Sequence, residues 1–557
     1  MSHPLFDKHR ATLDQAVDAL RTRGFWSPYL EIPSPRVYGE NAAAEGKAAF
    51  DALLGKPFHL GQPGQTGWTT PERSPWGVTL GVSYPVCQPE ALLAAARAAM
   101  PAWRAAGPEG RVGLCLEALD RIHRRSFELS HAVMLTSGQG WMMAFQAGGP
   151  HALDRGLEAV AAAWRAMSDV PARATWTKPQ GKNPPLVMEK RFEVTGRGTA
   201  LVIGCSTFPT WNTWPGMFAA LATGNPVIVK PHPNAVLPVA LSVQVLREVL
   251  AEHGLPADVV TLAVSDDPAD TRRLATDATV ASIDFTGGNI FGQWLADHCR
   301  QARLYAEMAG VNTVMIESTD DYRGMLRNLA FTLSLYSGQM CTTTQAILVP
   351  AGGVDTPEGR VAHDQVAADL AAAVDRFLSD PATALPILGA IQSEATLRRL
   401  DEAPRWGRVV LASRRLENPE FPAAEVRTPT LIACDATDEQ AWMEERFGPI
   451  AFVVKVADAA AGIALAGRVV REKGALTLGL YSTREEVVDA MTEVSLDAGV
   501  ALSLNLTRGV FVNQSAGFSD FHGTGANPAA NAAYTDGAFV ATRFRVVQRR
   551  WHAEAAA

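Results

Sequence analysis

The sequence predicts an α/β protein built around parallel β-sheet, and three observations lead to that class. From residue 197 onward, short apolar runs of strand length alternate with longer runs of helix length, which is typical of parallel βαβ units. The chain has 557 residues, enough for two or three domains with sizeable cores. No stretch of about 18 uninterrupted apolar residues occurs, so we expect no membrane span.

The first part of the chain is predicted to be mainly helical. Apolar side chains at helical spacing (Leu5, Leu13, Val17, Leu20) predict a helix over residues 4–23. Residues 29–37 are rich in proline and serine and are expected to form a connector. Stretches rich in alanine and leucine predict further helices over residues 89–103, 110–133 and 152–167.

The alternating region contains four predicted strands. The runs TALVIG, NPVIVKP, DVVTLAV and VASIDFTG supply them, at residues 199–204, 225–231, 258–264 and 280–287. Helices are predicted at residues 214–222, 237–253, 268–277 and 289–300. A dinucleotide would bind at the carboxyl ends of such strands.

After residue 306 the pattern becomes mixed. Helices are predicted over residues 326–336 and 364–377, and strands over residues 409–412, 429–433 and 451–456. Residues 385–388 are a further candidate strand, which Pro386 restricts to a sheet edge.

Charge and cysteine content exclude several classes of function. The net charge is −8 and no dense lysine or arginine cluster occurs, so we expect no nucleic-acid partner. The charged N-terminus, MSHPLFDKHR, is not a secretory signal. The six cysteines are scattered without a CxxC pair, which argues against a zinc site and against a disulfide framework. A reducing, cytoplasmic location fits best.

The glycines predict one phosphate-binding turn. No G-x-G-x-x-G follows a predicted strand, so the standard dinucleotide fingerprint is absent. The stretch DFTGGNIFG, residues 284–292, is a strand–glycine–helix junction that could hold a pyrophosphate at the helix N-terminus. A tight turn without a ligand is the alternative interpretation.

Three side chains occupy positions suited to catalysis. Cys341 lies in YSGQMCTTTQ at the expected start of a helix or strand, and a thiol near a helix N-terminus has a lowered pKa. Glu307 ends an apolar strand at the expected cleft, and Glu445 lies in EERFGPI. Taken singly, such a cysteine is more often a buried small hydrophobe.

Together these residues resemble the aldehyde dehydrogenase superfamily, whose motifs recur here in the same order. The family's glycine-glutamine-x-cysteine segment, which carries the nucleophile, is matched by Gly338, Gln339 and Cys341. Its strand-end general base, about 34 residues earlier, is matched by Glu307. The resemblance implies that Cys341 attacks an aldehyde to give a thiohemiacetal, which becomes a thioester after hydride transfer. Water deprotonated by Glu307 would then hydrolyse the thioester to a free acid.

The resemblance also implies a cofactor, NADP or NAD, and the residues that bind it. The family uses one segment for the pyrophosphate, one for the adenosine ribose and one for the nicotinamide. A carboxylate often lies three residues after the ribose-binding lysine; proline stands there in this chain, which permits a 2′-phosphate. The matching residues are Phe285, Thr286, Gly287, Gly288 and Gly292, then Lys230, Pro231, His232 and Pro233, then Glu445 and Phe447.

Two residues compete for the position that stabilises the oxyanion. The family places an asparagine in an asparagine-phenylalanine-proline motif, and an ungapped alignment from Lys230 puts Thr207 there. The alternative uses Asn212, from the pair Trp211-Asn212, but requires five residues to be missing from the intervening helix. The ungapped alignment is preferred, and Asn212 stays a candidate.

The family fold implies two parallel-sheet α/β domains and a β oligomerisation arm. We expect the chain to form a homodimer or a dimer of dimers. The implied divisions are a helical N-terminal extension over 1–44, a cofactor domain over 45–175 and 197–308, a catalytic domain over 309–525, and an arm with C-terminal tail over 176–196 and 526–557.

A finer resemblance concerns the substrate. EMAGVN, GCSTFPTWN and the tail from residue 514 resemble the phenylacetate-degradation branch called PaaN, which is similar to the dehydrogenase part of PaaZ without its hydratase domain. That resemblance implies an aldehyde linked to coenzyme A, 3-oxo-5,6-dehydrosuberyl-CoA semialdehyde. Three alternatives stay open: a coenzyme A-acylating dehydrogenase, a weakened relative that channels an aldehyde to a partner enzyme, and an esterase that needs no cofactor.

Overall fold

The computed structural model describes residues 3–265, 267–308 and 310–553. Ala309, within EMAGVN, therefore lies outside the described residues, as do residues 1–2, 266 and 554–557. None of the helices in the described ranges has the length and apolar character needed to cross a membrane.

The helices are α1 Pro4–Thr22, α2 Pro35–Tyr38, α3 Ala42–Asp51, α4 Pro89–Ala105, α5 Gly107–Arg124, α6 Ser126–Ser137, α7 Trp141–Gln146, α8 Pro150–Ser168, α9 Pro209–Ala222, α10 Leu237–Glu252, α11 Pro268–Thr276, α12 Asn289–His298, α13 Tyr322–Ser334, α14 His363–Phe377, α15 Pro381–Ile387, α16 Glu394–Glu402, α17 Glu439–Trp442, α18 Ala459–Lys473, α19 Glu485–Ala498 and α20 Gly537–Ala541.

The strands are β1 Gln65–Thr69, β2 Tyr84–Cys87, β3 Arg173–Gln180, β4 Asn183–Gly196, β5 Thr199–Ile203, β6 Val227–Lys230, β7 Val260–Leu262, β8 Val280–Thr286, β9 Arg303–Glu307, β10 Thr313–Ile316, β11 Ala346–Pro350, β12 Val354–Thr356, β13 Gly359–Val361, β14 Arg408–Leu411, β15 Arg415–Leu416, β16 Val426–Arg427, β17 Thr430–Asp435, β18 Ile450–Val456, β19 Thr477–Tyr481, β20 Ala501–Leu504 and β21 Phe544–His552.

The first large sheet has five parallel strands in the order β7-β6-β5-β8-β9. All four strands predicted between residues 197 and 287 are present in it, joined by α9, α10 and α11. Each is short and almost wholly buried, because helices cover both faces of the sheet. The predicted α/β class with parallel sheet is confirmed.

The second large sheet has seven strands in the order β14-β17-β18-β11-β10-β19-β20, and β14 alone runs antiparallel to its neighbour. The candidate strand at residues 385–388 was wrong, because residues 385–387 form the end of α15 and Leu388 is its C-cap. Asp380 accepts a hydrogen bond from the Ala382 amide, and Pro381 occupies the first helical turn. These helix-start signals outweigh a run of only four apolar residues.

The remaining elements form a small sheet and a helical cover. β3, β4 and β21 make a three-stranded antiparallel sheet whose side chains are largely exposed. Helix α1 lies on α5 and α8, and Phe6 packs on Trp164 with ring centroids 4.7 Å apart. Helix α1 ends at Thr22, because the next residue, Arg23, adopts a left-handed conformation with φ 54°. The predicted N-terminal helix is therefore present.

The C-terminal segment between β20 and β21 brings the two large sheets together. Its backbone pairs with the end of β9: the Met308 amide donates to the Ala529 carbonyl at 2.6 Å, and the Asn531 amide to the Ala306 carbonyl at 3.1 Å. β9 ends at Glu307 in one sheet, and Cys341 lies just before β11 of the other. The C-terminal segment therefore covers the junction between the two sheets, where Glu307 and Cys341 lie.

Candidate active site

The loop that carries Cys341 has an unusual backbone. Tyr336, Ser337 and Gly338 have φ values of 54°, 50° and 65°, three consecutive residues in the left-handed region. A side chain at Gly338 would collide with the Gly448 carbonyl, so glycine is required there. Strained backbone of this kind persists only where the surrounding structure holds it.

Hydrogen bonds from two amide side chains fix the position of Cys341. Asn312 donates to the Cys341 carbonyl at 2.8 Å and to the Thr343 carbonyl at 3.0 Å, and its own oxygen accepts from the Leu476 amide. Gln339, next but one to the cysteine, donates to the Ala390 carbonyl at 3.0 Å. The thiol position is therefore determined on both sides of the residue.

The expectation of a lowered thiol pKa was wrong. No helix begins at Cys341, which lies in a turn before β11, so no helix N-terminus favours the thiolate. Burial raises the pKa of Cys341 well above its ordinary value, and the adjacent Glu307 carboxylate raises it further. The resting side chain is a thiol.

Glu307 ends β9 and lies almost wholly buried beside the thiol. Its Oε2 is 3.1 Å from His522 Nε2 and accepts a hydrogen bond from Asn212 Nδ2 at 3.5 Å, whereas its Oε1 has no hydrogen-bond partner among the described residues. Burial alone would raise the pKa of Glu307. The charge and hydrogen bond of His522, together with the hydrogen bond of Cys341, outweigh burial and hold the pKa below its ordinary value. The carboxylate is therefore ionised.

His522 is the residue at this site that the sequence analysis missed. Its Nε2 lies 3.9 Å from Cys341 Sγ as well as 3.1 Å from Glu307 Oε2. One ligand atom from each of these three residues lies within 4.8 Å of the others, close enough for a hydrogen-bonded relay or for a metal ion. The spacing rule used to argue against a zinc site considers neighbouring cysteines and does not detect three ligands from distant segments.

A buried ion pair supports the segment that precedes His522. Arg155 and Glu158 of α8 are joined at 2.7 Å with both side chains fully buried. Arg155 also donates to the Asp520 carbonyl at 3.0 Å, and Glu158 accepts from the Phe518 amide at 3.0 Å. An Arg-x-x-Glu pair within an alanine-rich helix was the sequence signal for this support.

The two oxyanion candidates occupy different surroundings. Asn212, in the first turn of α9, accepts from the Cys205 thiol at 3.4 Å and donates to Glu307. Thr207 precedes α9; its hydroxyl is 3.6 Å from Cys205 Sγ, and its carbonyl accepts from Gln139 at 2.7 Å. The structure thus brings Asn212 into the Glu307 cluster and places Thr207 against Cys205.

Lys230, Pro231, His232 and Pro233 lie at and after the carboxyl end of β6. Lys230 is the last residue of that strand, and burial lowers its pKa to about 8. Within the described part of the chain, the ammonium has no ion-pair partner. Burial, and then the charge of Lys230, lower the pKa of His232 to about 4, so this ring is neutral at pH 7.

The glycine turn at residues 285–292 joins β8 to α12. Thr286 ends the strand, and the Gly287 amide donates to the Glu307 carbonyl at 3.1 Å. Gly288 caps α12, and a side chain there would meet open space. A side chain at Gly292 would instead collide with Met308, while Phe285 is buried in the core. Gly288 therefore presents the open surface of this turn.

Glu445 and Phe447 lie in a loop that is tied to the cysteine loop. Gln345 donates to the Glu444 carbonyl at 2.8 Å and accepts from the Arg446 amide at 2.6 Å. Burial raises the pKa of Glu445 to about 7, against the lowering influence of Arg399. Because Gln345 is only four residues after Cys341, one side chain sets the relative position of the two loops.

Comparison with known proteins identifies the family of this chain. Residues 85–510 match the model of the aldehyde dehydrogenase family. The crystal structure of an NAD-dependent aldehyde dehydrogenase from Burkholderia multivorans is similar over 99% of this chain and 100% of that chain, with 53% identity and a TM-score of 0.98.

Two relatives are named as semialdehyde dehydrogenases. N-succinylglutamate 5-semialdehyde dehydrogenase of Chromobacterium violaceum is 29% identical over 420 residues, 73% of this chain and 79% of that protein. 3,4-Dehydroadipyl-CoA semialdehyde dehydrogenase of Aromatoleum evansii is 26% identical over 305 residues, 51% of this chain and 56% of that protein. From the family match and the full-length structural similarity, the chain belongs to the aldehyde dehydrogenase family.

Proposed function

We propose that the protein oxidises an aldehyde to a carboxylic acid, with NAD or NADP as the hydride acceptor and Cys341 as the nucleophile. The observation that carries the proposal is the closeness of the half-buried Cys341 thiol to the buried Glu307 carboxylate, within 4.8 Å, at the junction of the two large sheets. A thiol and an ionised carboxylate in one desolvated site supply the nucleophile and the base that the two halves of this oxidation need.

Each residue of the site has a separate proposed role in the reaction. Cys341 Sγ bonds to the aldehyde carbon. We assign the oxyanion to the Asn212 amide, because Asn212 lies in the Glu307 cluster, with the Thr207 hydroxyl as the alternative donor. The bound nicotinamide cofactor supplies the hydride acceptor. Glu307 Oε1, which lacks a partner among the described residues, then accepts a proton from the water that cleaves the thioester. Cys341 is released, and the product is a free acid.

The proposed cofactor site fits the residues at the ends of β6 and β8. The Lys230 ammonium is half-buried without an ion-pair partner in the described ranges, which suits a donor awaiting ribose hydroxyls. Gly288 faces open space at the N-terminus of α12, where pyrophosphate oxygens are favoured. Pro233 has no carboxylate that would repel a 2′-phosphate, and the neutral His232 ring has no charge that would attract one. The site therefore accepts both NAD and NADP.

The finer proposal concerns the substrate, a semialdehyde carried on coenzyme A in phenylacetate breakdown. The resemblance of the tail to the PaaN branch supports it, as does the name of the Aromatoleum evansii relative. The coenzyme A portion would then be part of the substrate and would not act as the acyl acceptor. Glu307 beside Cys341 favours water as that acceptor.

We also propose an assembly and a division of labour among the domains. The cofactor domain comprises residues 45–175 and 197–308, and the catalytic domain residues 309–525. Within the described ranges, β3 is an edge strand of the exposed sheet of β21, β4 and β3, which suits pairing with a second copy in a homodimer or a dimer of dimers. Light scattering on the intact chain tests the subunit number.

The deciding experiment measures reduced cofactor formed by the purified protein with a panel of aldehydes, including coenzyme A-linked semialdehydes. Cys341→Ala serves as the control. Turnover by the wild type alone supports the proposal, and an absolute requirement for free coenzyme A would replace it with the acylating reaction. Cofactor binding without turnover of any aldehyde would overturn it in favour of a channelling role.

A further inference from the structure

Three ligand atoms of different chemistry converge where the two large sheets meet. Cys341 Sγ lies 3.9 Å from His522 Nε2, and that nitrogen lies 3.1 Å from Glu307 Oε2. One ligand atom from each residue lies within 4.8 Å of the other two. We propose that these three side chains bind one zinc ion, which occupies the nucleophile and reversibly stops the reaction. The inhibition rests on the proposed function, whereas the binding of zinc does not.

The distances between the ligand atoms suit zinc. In a tetrahedral site the ion lies about 2.3 Å from sulfur, about 2.0–2.1 Å from imidazole nitrogen and about 2.0–2.2 Å from carboxylate oxygen. These bond lengths place the ligand atoms about 3.4–3.6 Å from one another. The two separations measured at His522 Nε2 lie on either side of that range, so small side-chain rotations complete the geometry. Three protein ligands leave the fourth position to a water molecule.

The chemistry of the ligands selects the metal. A thiolate and an imidazole are ligands that zinc prefers, whereas Mg²⁺ and Ca²⁺ prefer oxygen ligands. The Cys341 thiolate and the Glu307 carboxylate each carry one negative charge, and neutral His522 adds none. Together they balance the two positive charges of the ion, so a largely buried site gains no net charge when zinc binds.

An unpartnered oxygen at Glu307 independently indicates a cation. The carboxylate is almost wholly buried, and its Oε1 has no hydrogen-bond partner among the described residues. His522 and Asn212 both contact the other oxygen, Oε2. A buried polar atom without a partner is commonly explained by a bound water molecule or ion. Zinc shared between Oε1 and Oε2 supplies the partner that Oε1 lacks.

Zinc replaces hydrogen at two of the three ligand atoms. The S–H bond of Cys341 breaks, and the sulfur electron pair forms the Zn–S bond. His522 Nε2 gives up the hydrogen that it directs at Glu307 and binds zinc through its lone pair, with the ring hydrogen on Nδ1. The displaced protons pass to the buffer, and no electron is transferred, because zinc has no redox chemistry.

The surrounding fold holds the ligands in place before any ion arrives. Asn312 donates to the Cys341 carbonyl at 2.8 Å. The His522 backbone pairs with Tyr534 at amide-to-carbonyl distances of 3.2 and 3.1 Å, and its ring meets Trp211 edge to face at a centroid distance of 4.6 Å. Metal sites depend on such supporting contacts. Because Cys341 is only half-buried, an ion from solvent can reach the thiol.

The test uses Co²⁺ in place of zinc, because it takes the same ligands and absorbs in the near ultraviolet when a thiolate binds it. The protein is treated with EDTA, gel-filtered and titrated with cobalt chloride under a phosphine reductant, with neither aldehyde nor cofactor present. Zinc then displaces cobalt, and competition with a colorimetric chelator gives the zinc affinity. Each ligand is removed in turn by Cys341→Ser, His522→Gln and Glu307→Gln. Cys205→Ser, which removes a nearby thiol, and His298→Gln, which removes an exposed imidazole, are the matched controls.

The wild type is expected to bind one equivalent of cobalt, and Cys341→Ser should lose the thiolate band. His522→Gln and Glu307→Gln should weaken zinc binding at least about 10²-fold, since loss of a residue that merely supports a ligand already costs about 10–100-fold. Both controls should match the wild type. Equal zinc affinity in the wild type and all three ligand variants, or cobalt bound without the thiolate band, would mean an adventitious ion only and would overturn the proposal.

Alkylation of the wild type decides the matter if a ligand variant does not fold. Saturating zinc should slow the reaction of Cys341 with iodoacetamide at least about tenfold, because the metal-bound sulfur is no longer free to attack. Peptide mass mapping locates the label, and Mg²⁺ at the same concentration should leave the rate unchanged. Alkylation of Cys341 at one rate with and without zinc would overturn the proposal.

The metal site and the dehydrogenase function can fail separately. Aldehyde oxidation that stops with zinc and returns with EDTA would support both. Cobalt bound with the thiolate band in a protein that oxidises no aldehyde would keep the metal site and remove the dehydrogenase. Oxidation that continues at a zinc concentration which displaces all the cobalt would keep the dehydrogenase and overturn the inhibition.

Discussion

The two ends of the site are built differently. At the proposed catalytic end, one ligand atom each of Cys341, Glu307 and His522 lies within 4.8 Å of the others, and the Asn312 side-chain amide fixes the loop that carries Cys341. At the proposed cofactor end, Lys230 has no ion-pair partner within the described ranges and Gly288 faces open space. We propose that the first end is preorganised by the protein itself and that the second end makes its hydrogen bonds with the cofactor.

The difference between the two proposed ends predicts which kinetic constant a substitution at each end should change. A preorganised catalytic end contributes through interactions that exist before the substrate binds, so its loss should lower kcat. An open cofactor end contributes hydrogen bonds that form only with the ligand, so its loss should raise the KM for the cofactor.

Cys341→Ser should abolish turnover, lowering kcat by more than about 10⁴-fold, because a buried hydroxyl is a far weaker nucleophile than a thiolate. Initial rates of reduced-cofactor formation measure the loss, and tryptophan fluorescence titration should show cofactor binding nearly unchanged. Retained oxidation in Cys341→Ser would remove the nucleophile assignment and with it the contrast between the two ends.

Glu307→Gln should stop the reaction halfway. The amide keeps the shape of the carboxylate but cannot take a proton from water, so steady-state turnover should fall by roughly 10²–10⁴-fold. A stopped-flow trace should show about one equivalent of reduced cofactor per active site, followed by little further formation. Absence of this burst would place Glu307 in the first half of the reaction and not in hydrolysis.

Asn212→Ala and Thr207→Ala should separate the two oxyanion candidates. Asn212 belongs to the Glu307 cluster, so its loss should lower kcat by roughly 10²–10³-fold, and Thr207→Ala should have a much smaller effect. The measurement is kcat for both variants with the same aldehyde. The opposite ranking would restore Thr207, the residue that the ungapped alignment prefers.

Local motifs and distant contacts were not equally predictable from the sequence. The parallel sheet and the cluster of Cys341 with Glu307 could be predicted, because strand-length apolar runs and a short motif carry that information locally. His522 could not, since it lies 181 residues from Cys341, and only the tertiary fold joins them. A helix or a strand was expected to begin near Cys341, and the strand β11 follows after a turn. The turn itself was not predicted, because the left-handed backbone at Tyr336 and Ser337 depends on distant contacts.

Lys230→Met is expected to have the smallest effect on the reaction and tests the proposed cofactor end directly. The wild-type ammonium would donate charge-assisted hydrogen bonds to the cofactor, so its removal should raise the cofactor KM about tenfold while kcat changes little. Burial lowers the pKa of Lys230 to about 8, so the group is charged at pH 7 and loses its proton as the pH rises through that value.

The wild-type KM for the cofactor should therefore be flat below pH 8 and should rise above it, and the Lys230→Met profile should be flat over the same range. Lys182→Met, in the exposed turn between β3 and β4, is the matched control and should follow the wild type. A large fall in kcat in Lys230→Met, with KM unchanged, would show that the cofactor end takes part in organising the chemistry, and the division between a complete end and an open end would then fail.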